Sequence, residues 1–162
     1  MKKIIFILIS TIITSSLYSQ QFEVYLLEQC VDYLGKPFND PTFHKINIGN
    51  DVHYLKYYYF DIAGAYIITK DNIVTLCSFD NKYKEKKEAD NSYVYLIEYL
   101  LKMNWMTCTI NGIKNTYINN EGNILIIPES LKNYGNSKDQ YPYYIEVYLA
   151  LSESHIPKGW YK

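Results

Sequence analysis

Three cysteines, three histidines and one carboxylate framed by tyrosines are the residues of this chain whose types could do chemistry. His44, His53 and His155 form neither an HxH nor an HExxH pair, so no metal-ligating spacing is present. Cys30, Cys77 and Cys108 each fall on an apolar face by pattern, where a thiolate is disfavoured and no nucleophile signature surrounds them. Three buried thiols, a Cys77–Cys108 disulfide between neighbouring strands, or one reactive thiol are the readings that remain open. The glycines are isolated turn residues, not a phosphate-cradling loop. Glu146, between Tyr144 and Tyr148, is the acidic residue with an aromatic setting; a solvated strand carboxylate is the plain alternative. These residues predict no catalytic set, no metal and no cofactor, hence a protein that is not an enzyme.

Tyrosine is the conspicuous excess, 19 in 162 residues. Its ring gives a large contact area with few rotors and a hydroxyl, which suits a surface that meets a protein or a sugar. Alternation predicts Tyr54 and Tyr58, with Lys56, facing outward on one strand, and Tyr144 and Tyr148, with Glu146, facing outward on another. Abundant Lys, Asn and Ile with no Arg also fit a compositional bias that would raise Tyr without selection for binding. The absence of Arg removes the bidentate fork for phosphates and guanine edges, so nucleic acid is not an expected partner. The cluster Lys82, Lys84, Lys86 and Lys87 alternates with Glu85 and Glu88 and reads as a solvated loop.

The elements that must position these residues alternate in type. Lys2 and Lys3, the apolar run Ile4 to Ile9 and the polar exit through Ser15, Ser16 and Ser19 read as a signal peptide over residues 1–19. The apolar run is shorter than the ~20 residues that cross a bilayer, so no permanent membrane anchor is expected. Cleavage would leave 143 of the 162 residues and, with Lys2 and Lys3 gone, take the net charge from −1 to about −3. That length suits a single α+β domain over 20–162, exported to the periplasm or outside the cell.

Within it, Phe22, Leu26, Leu27, Cys30, Val31 and Leu34 recur at helical spacing and stop at Gly35 and Pro37. Strands follow at Phe43–Ile48, Val52–Phe60, Gly64–Thr69 and Ile73–Phe79, the last two joined by the hairpin pair Asp71-Asn72. Asp80–Asp90 reads as a charged loop, and Asp90, Asn91 or Ser92 as the cap of a second helix bearing Val94, Ile97, Leu100 and Leu101. Strands at Trp105–Ile110, Ile113–Ile118 and Ile124–Ile127, a polar stretch 131–142 and a final strand from Tyr143 to Leu151 complete the chain. On that last strand Tyr143, Ile145, Val147 and Leu149 share one face, with Tyr144, Glu146, Tyr148 and Ala150 opposite. The order is helix, strands, helix, strands: two helices packed on antiparallel sheet. The similar words Tyr25-Leu26-Leu27-Glu28 and Tyr95-Leu96-Ile97-Glu98 raise a tandem duplication, with half-domains 20–80 and 90–162.

The words Tyr33-Leu34-Gly35-Lys36-Pro37, Tyr57-Tyr58-Tyr59-Phe60 and Asp71-Asn72-Ile73-Val74 resemble the small exported domains of the SmpA/OmlA and beta-lactamase-inhibitor-protein-like group. There a helix closes on a Leu-Gly-x-Pro word and a curved antiparallel sheet follows. The resemblance covers roughly residues 25–79; the lipid-carrying cysteine of the outer-membrane members and a second helix before the sheet have no counterpart. It implies a sheet face that binds protein. The expected function is therefore an exported inhibitor, immunity or envelope-assembly factor with a protein partner; a glycan or small-ligand module is the alternative, and a small envelope hydrolase a third.

Overall fold

The computed structural model describes residues 22–58, 63–110, 112–128 and 141–157. The signal segment 1–19, Tyr59, Phe60 and most of the polar stretch before Tyr143 lie outside them.

The first helix, α1, spans 22–33 and buries the stripe its sequence spells: Leu26, Leu27, Cys30 and, just beyond, Leu34. It closes where Gly35 takes φ +74, a left-handed conformation that a side chain would strain. The Gly35 N–H then donates to the Val74 carbonyl at 2.9 Å, and the Val74 N–H returns a bond to the Lys36 carbonyl at 2.9 Å. The helix exit is thus stitched directly to the sheet.

Four strands follow as a meander: β1 (His44–Ile48), β2 (Asp51–Tyr58), β3 (Ala63–Lys70) and β4 (Ile73–Tyr83). Asp71 and Asn72 both adopt positive φ, 51 and 65, the geometry of a two-residue hairpin whose twist matches its strands. The second helix, α2 (Lys86–Lys102), leads into a second meander: β5 (Met106–Ile110), β6 (Ile113–Ile118), β7 (Ile124–Ile126) and β8 (Tyr143–Ala150). A 3₁₀ turn at Glu153–His155 follows. All eight strands form one antiparallel sheet in the order β1-β2-β3-β4-β8-β7-β6-β5. The α+β class and the alternation of helix and strands stand as expected. Exchanging the two helix-plus-meander units maps the strand order onto itself, with β4 and β8 paired at the centre.

Residues 80–90 depart from their expectation. β4 runs on through Asp80 to Tyr83 because β8 pairs with it along that whole length, from Leu76↔Ala150 to Tyr83↔Tyr143. Asn81 and Tyr83 turn inward and are buried. The helix accordingly begins at Lys86 with Glu85 as N-cap and no side-chain cap bond, while Ser92 is buried inside it instead of capping it. Lys86 pairs with Asp90 at 2.8 Å across one exposed turn, a contact of little energetic weight.

Both helices cover the same face of the sheet. Leu26, Leu27 and Cys30 of α1 and Ala89, Leu96 and Leu100 of α2 share one buried cluster with Ile67, Cys77, Phe79, Leu125, Ile145, Val147 and Leu149 of the sheet. The helices also touch each other, the Tyr99 hydroxyl donating to Glu28 Oε1 at 2.6 Å. On the other face, Ile124, Ile126 and Ala150 form a smaller cluster with Ile156, which the 3₁₀ turn brings over them. No helix among the described residues is long and apolar enough to cross a membrane.

Candidate binding face

The pairing register places side chains in rows across the face that carries neither helix. One row runs Leu55, Tyr66, Ser78, Tyr148, Ile126, Thr116, Cys108, one residue from each strand from β2 to β5. Beside it runs Tyr57, Gly64, Asp80, Glu146, and then the pair Lys82, Tyr144. Neighbouring strands lie ~4.8 Å apart, so adjacent members of a row stand within side-chain reach. At the middle of the sheet the small residues Gly64 and Ser78 form a low floor between Tyr57 and Tyr66 on one side and Tyr148 and Glu146 on the other. Tyr57 is 60% exposed, and Tyr66, Tyr144, Glu146 and Tyr148 are half-buried.

Gly64 is there for a physical reason: a Cβ on it would stand 2.8 Å from Asp80 Oδ1. The Asp80 carboxyl lies over that gap, opposite Glu146 in the register. Its burial, with the like charge of Glu146 adding and Lys82 opposing, pushes its pKa up to about 6. Folding therefore favours its protonated form, and the stability this contributes is lost as pH rises from about 4 to 6. Above pH 7, Asp80→Asn is expected to raise the unfolding free energy read from urea titration by on the order of 1 kcal/mol, with a higher urea midpoint, and to leave both unchanged near pH 3.5. Equal midpoints of variant and wild type at both pH values would refute this. At the edge of the same face the His53 ring nitrogen Nδ1 and the Tyr66 hydroxyl are hydrogen-bonded, and burial raises the Tyr66 pKa.

Of the residues expected to bind, Tyr144, Glu146 and Tyr148 stand together here. Tyr54 and Tyr58 do not join them. Both point to the helix side, where Tyr54 is 8% exposed and meets the Phe38 ring at 4.6 Å, edge to face. Tyr58 packs at 5.6 Å against Phe22 of α1, and burial raises its pKa. Lys56 shares that side, its Nζ 5.0 Å over the Tyr58 ring and 5.2 Å over Phe43. The physical reason is that α1 and the segment after it roof this end of the sheet with Phe22, Phe38 and Phe43. The outward tyrosine of β2 is instead Tyr57.

The Cys77–Cys108 bridge is likewise corrected. β8, β7 and β6 intervene between β4 and β5, which places the two residues about 19 Å apart at ~4.8 Å per strand, against the roughly 7 Å limit for a disulfide. They also face opposite sides: Cys77 pairs in register with Leu149 of the core, Cys108 with Thr116 of the other face. No sulfur–sulfur bond links any of the three cysteines in this structure. His155 bonds Ser152 at 2.8 Å, and no three metal-ligating side chains gather among the described residues.

Tyr57, Tyr66, Gly64 and Asp80 escaped the reading of the sequence. A glycine inside a strand pattern signals close approach by another group, and Gly64 carried that signal. The arrangement can stack, accept and donate hydrogen bonds, and present negative charge.

The fold and this face together define an α+β protein built on a single eight-stranded antiparallel sheet, helices on one side and a tyrosine-bearing surface on the other. Comparison with protein-family models, curated proteins and solved structures finds no match to this chain.

Proposed function

We propose that this chain is an exported, non-enzymatic binding protein whose helix-free sheet face engages a protein partner. The observation that carries the reading is the register itself, which sets Tyr57, Tyr66, Tyr144 and Tyr148 around Asp80 and Glu146 on one surface. Aromatic side chains with polar tips, fixed on strands, lose little conformational freedom on contact and are enriched where interfaces concentrate their energy. Export rests on the residue pattern of positions 1–19. The resemblance to inhibitor-like exported domains points the same way.

The test is crosslinking and pull-down from the fraction into which the protein is exported, using wild type and Tyr57→Ala/Tyr148→Ala. Loss of the same captured protein by at least tenfold, with far-UV circular dichroism unchanged, is the expected result. Equal capture by the variant would sink the assignment of this face. Binding to a polysaccharide array in place of any protein would move the function to the glycan class. N-terminal sequencing of the exported product, expected to begin near Gln20, checks the address separately.

A further inference from the structure

Cys30 and Cys77, 47 positions apart in sequence, meet where α1 packs on β4: the Cys77 thiol donates to the Cys30 backbone carbonyl at 3.7 Å. Both belong to the main core cluster and are 3% and 0% exposed. We propose that Cys30 and Cys77 are joined by a disulfide when the chain folds in an oxidising compartment, leaving Cys108 as the free thiol. The geometry selects this pair because the sheet holds Cys108 several strands away and on the opposite face.

The oxidant is a small-molecule or protein disulfide, RSSR, and its presence in the cell rests on the export reading above. One cysteine thiolate attacks RSSR and expels RS⁻; the second thiolate attacks the protein sulfur of the mixed disulfide and expels another RS⁻. The two protons lost by the cysteines end on the two RSH. One RSSR is reduced and one protein bridge formed. In the folded protein this route is closed: burial, with the neighbouring Cys30, holds the Cys77 thiol well above its ordinary pKa, and a neutral thiol does not attack. The bond must therefore form while the chain is still opening and closing, and once formed it is sealed from reductant.

The full processed chain, refolded from urea through reduced and oxidised glutathione, alkylated, and cut after lysine without reduction, tests this by mass spectrometry. Expected is a species joining the Cys30 peptide to residues 71–82, lighter than the two peptides by two hydrogens, with the alkyl group only on residues 103–114. The same link should form in Cys108→Ala, and should survive reductant in the native protein but not in urea. Three alkylated cysteines, or any link that includes Cys108, would overturn the proposal. Because this arm supplies its own oxidant, its failure is separate from a failure of export, which the N-terminal sequence of the exported product reads.

Discussion

Glu23→Gln is expected to make the protein more stable by on the order of 2 kcal/mol near pH 8.5 and less stable by about 1 kcal/mol near pH 4. Glu23 opens the buried stripe of α1 and is 1% exposed. Its Oε1 accepts a 2.7 Å bond from Asn81 Nδ2 on β4, while Oε2 has no hydrogen-bond partner. Burial pushes the carboxyl pKa up from 4.5 to about 7, with the bonds from Asn81 and Ser92 opposing it. A pKa raised by folding means that the native state binds the proton more tightly than the unfolded chain does. The stability so gained is complete below pH 4.5 and is lost as pH climbs to 7. A displacement of that size corresponds to roughly 3 kcal/mol. The glutamine is neutral throughout; its unpaired amide N–H offsets part of the gain. Urea titrations of both proteins from pH 4 to 9 check this. Parallel stability curves would show that Glu23 does not carry the pH dependence.

Glu23 also shows what the sequence held and how it was missed. Positions 23, 26, 27, 30 and 34 are one helical stripe, and a carboxylate within such a stripe is a buried-charge signal. Near a helix start it reads more easily as a residue suited to the helix dipole. What decides between the two is Asn81, 58 positions away, which only the folded chain brings to it.

The strands divide in the same way. On β8 the aliphatic residues Ile145, Val147 and Leu149 all fall on one parity, so the buried face and the outward set of Tyr144, Glu146 and Tyr148 are legible from the sequence. On β2 both parities are mixed: Val52, Tyr54, Lys56 and Tyr58 against His53, Leu55 and Tyr57. Alternation there defines two faces without saying which is roofed, and the answer lies in where α1 and Phe38 and Phe43 settle. The extension of β4 was hidden because Asp80 and Lys82 point to the solvent-facing side, leaving only Asn81 and Tyr83 to mark burial. Cysteine pairing failed for a related reason. Similar strand patterns at Cys77 and Cys108 carry no information about strand order, and the crossover through α2 places β8, not β5, beside β4.

That crossover joins the two halves in one sheet, and Phe79→Ala is the substitution that tests whether they unfold as one cooperative unit. Phe79 is 2% exposed at the centre of the sheet, flanked in register by Ala65 of β3 and Val147 of β8, both smaller. Neither neighbour can fill the space a deleted ring leaves, so the cost is that of an uncollapsed cavity, about 3–5 kcal/mol. This is a large share of the roughly 5–15 kcal/mol by which a domain is stable. The loss falls on the β4–β8 seam, where the meander preceding α2 meets the one following it. Trp105, 7% exposed in the same core, lies on the far side of that seam in sequence and reports on the second unit by its fluorescence. In Phe79→Ala, carried in a Trp160→Phe background so that the emission is Trp105's, its midpoint in urea should fall together with that of far-UV circular dichroism, in a single transition. A Trp105 transition that kept the wild-type midpoint while the circular dichroism split into two steps would mean that the second meander and α2 hold together without β4, and that the sheet is two domains abutted, not one.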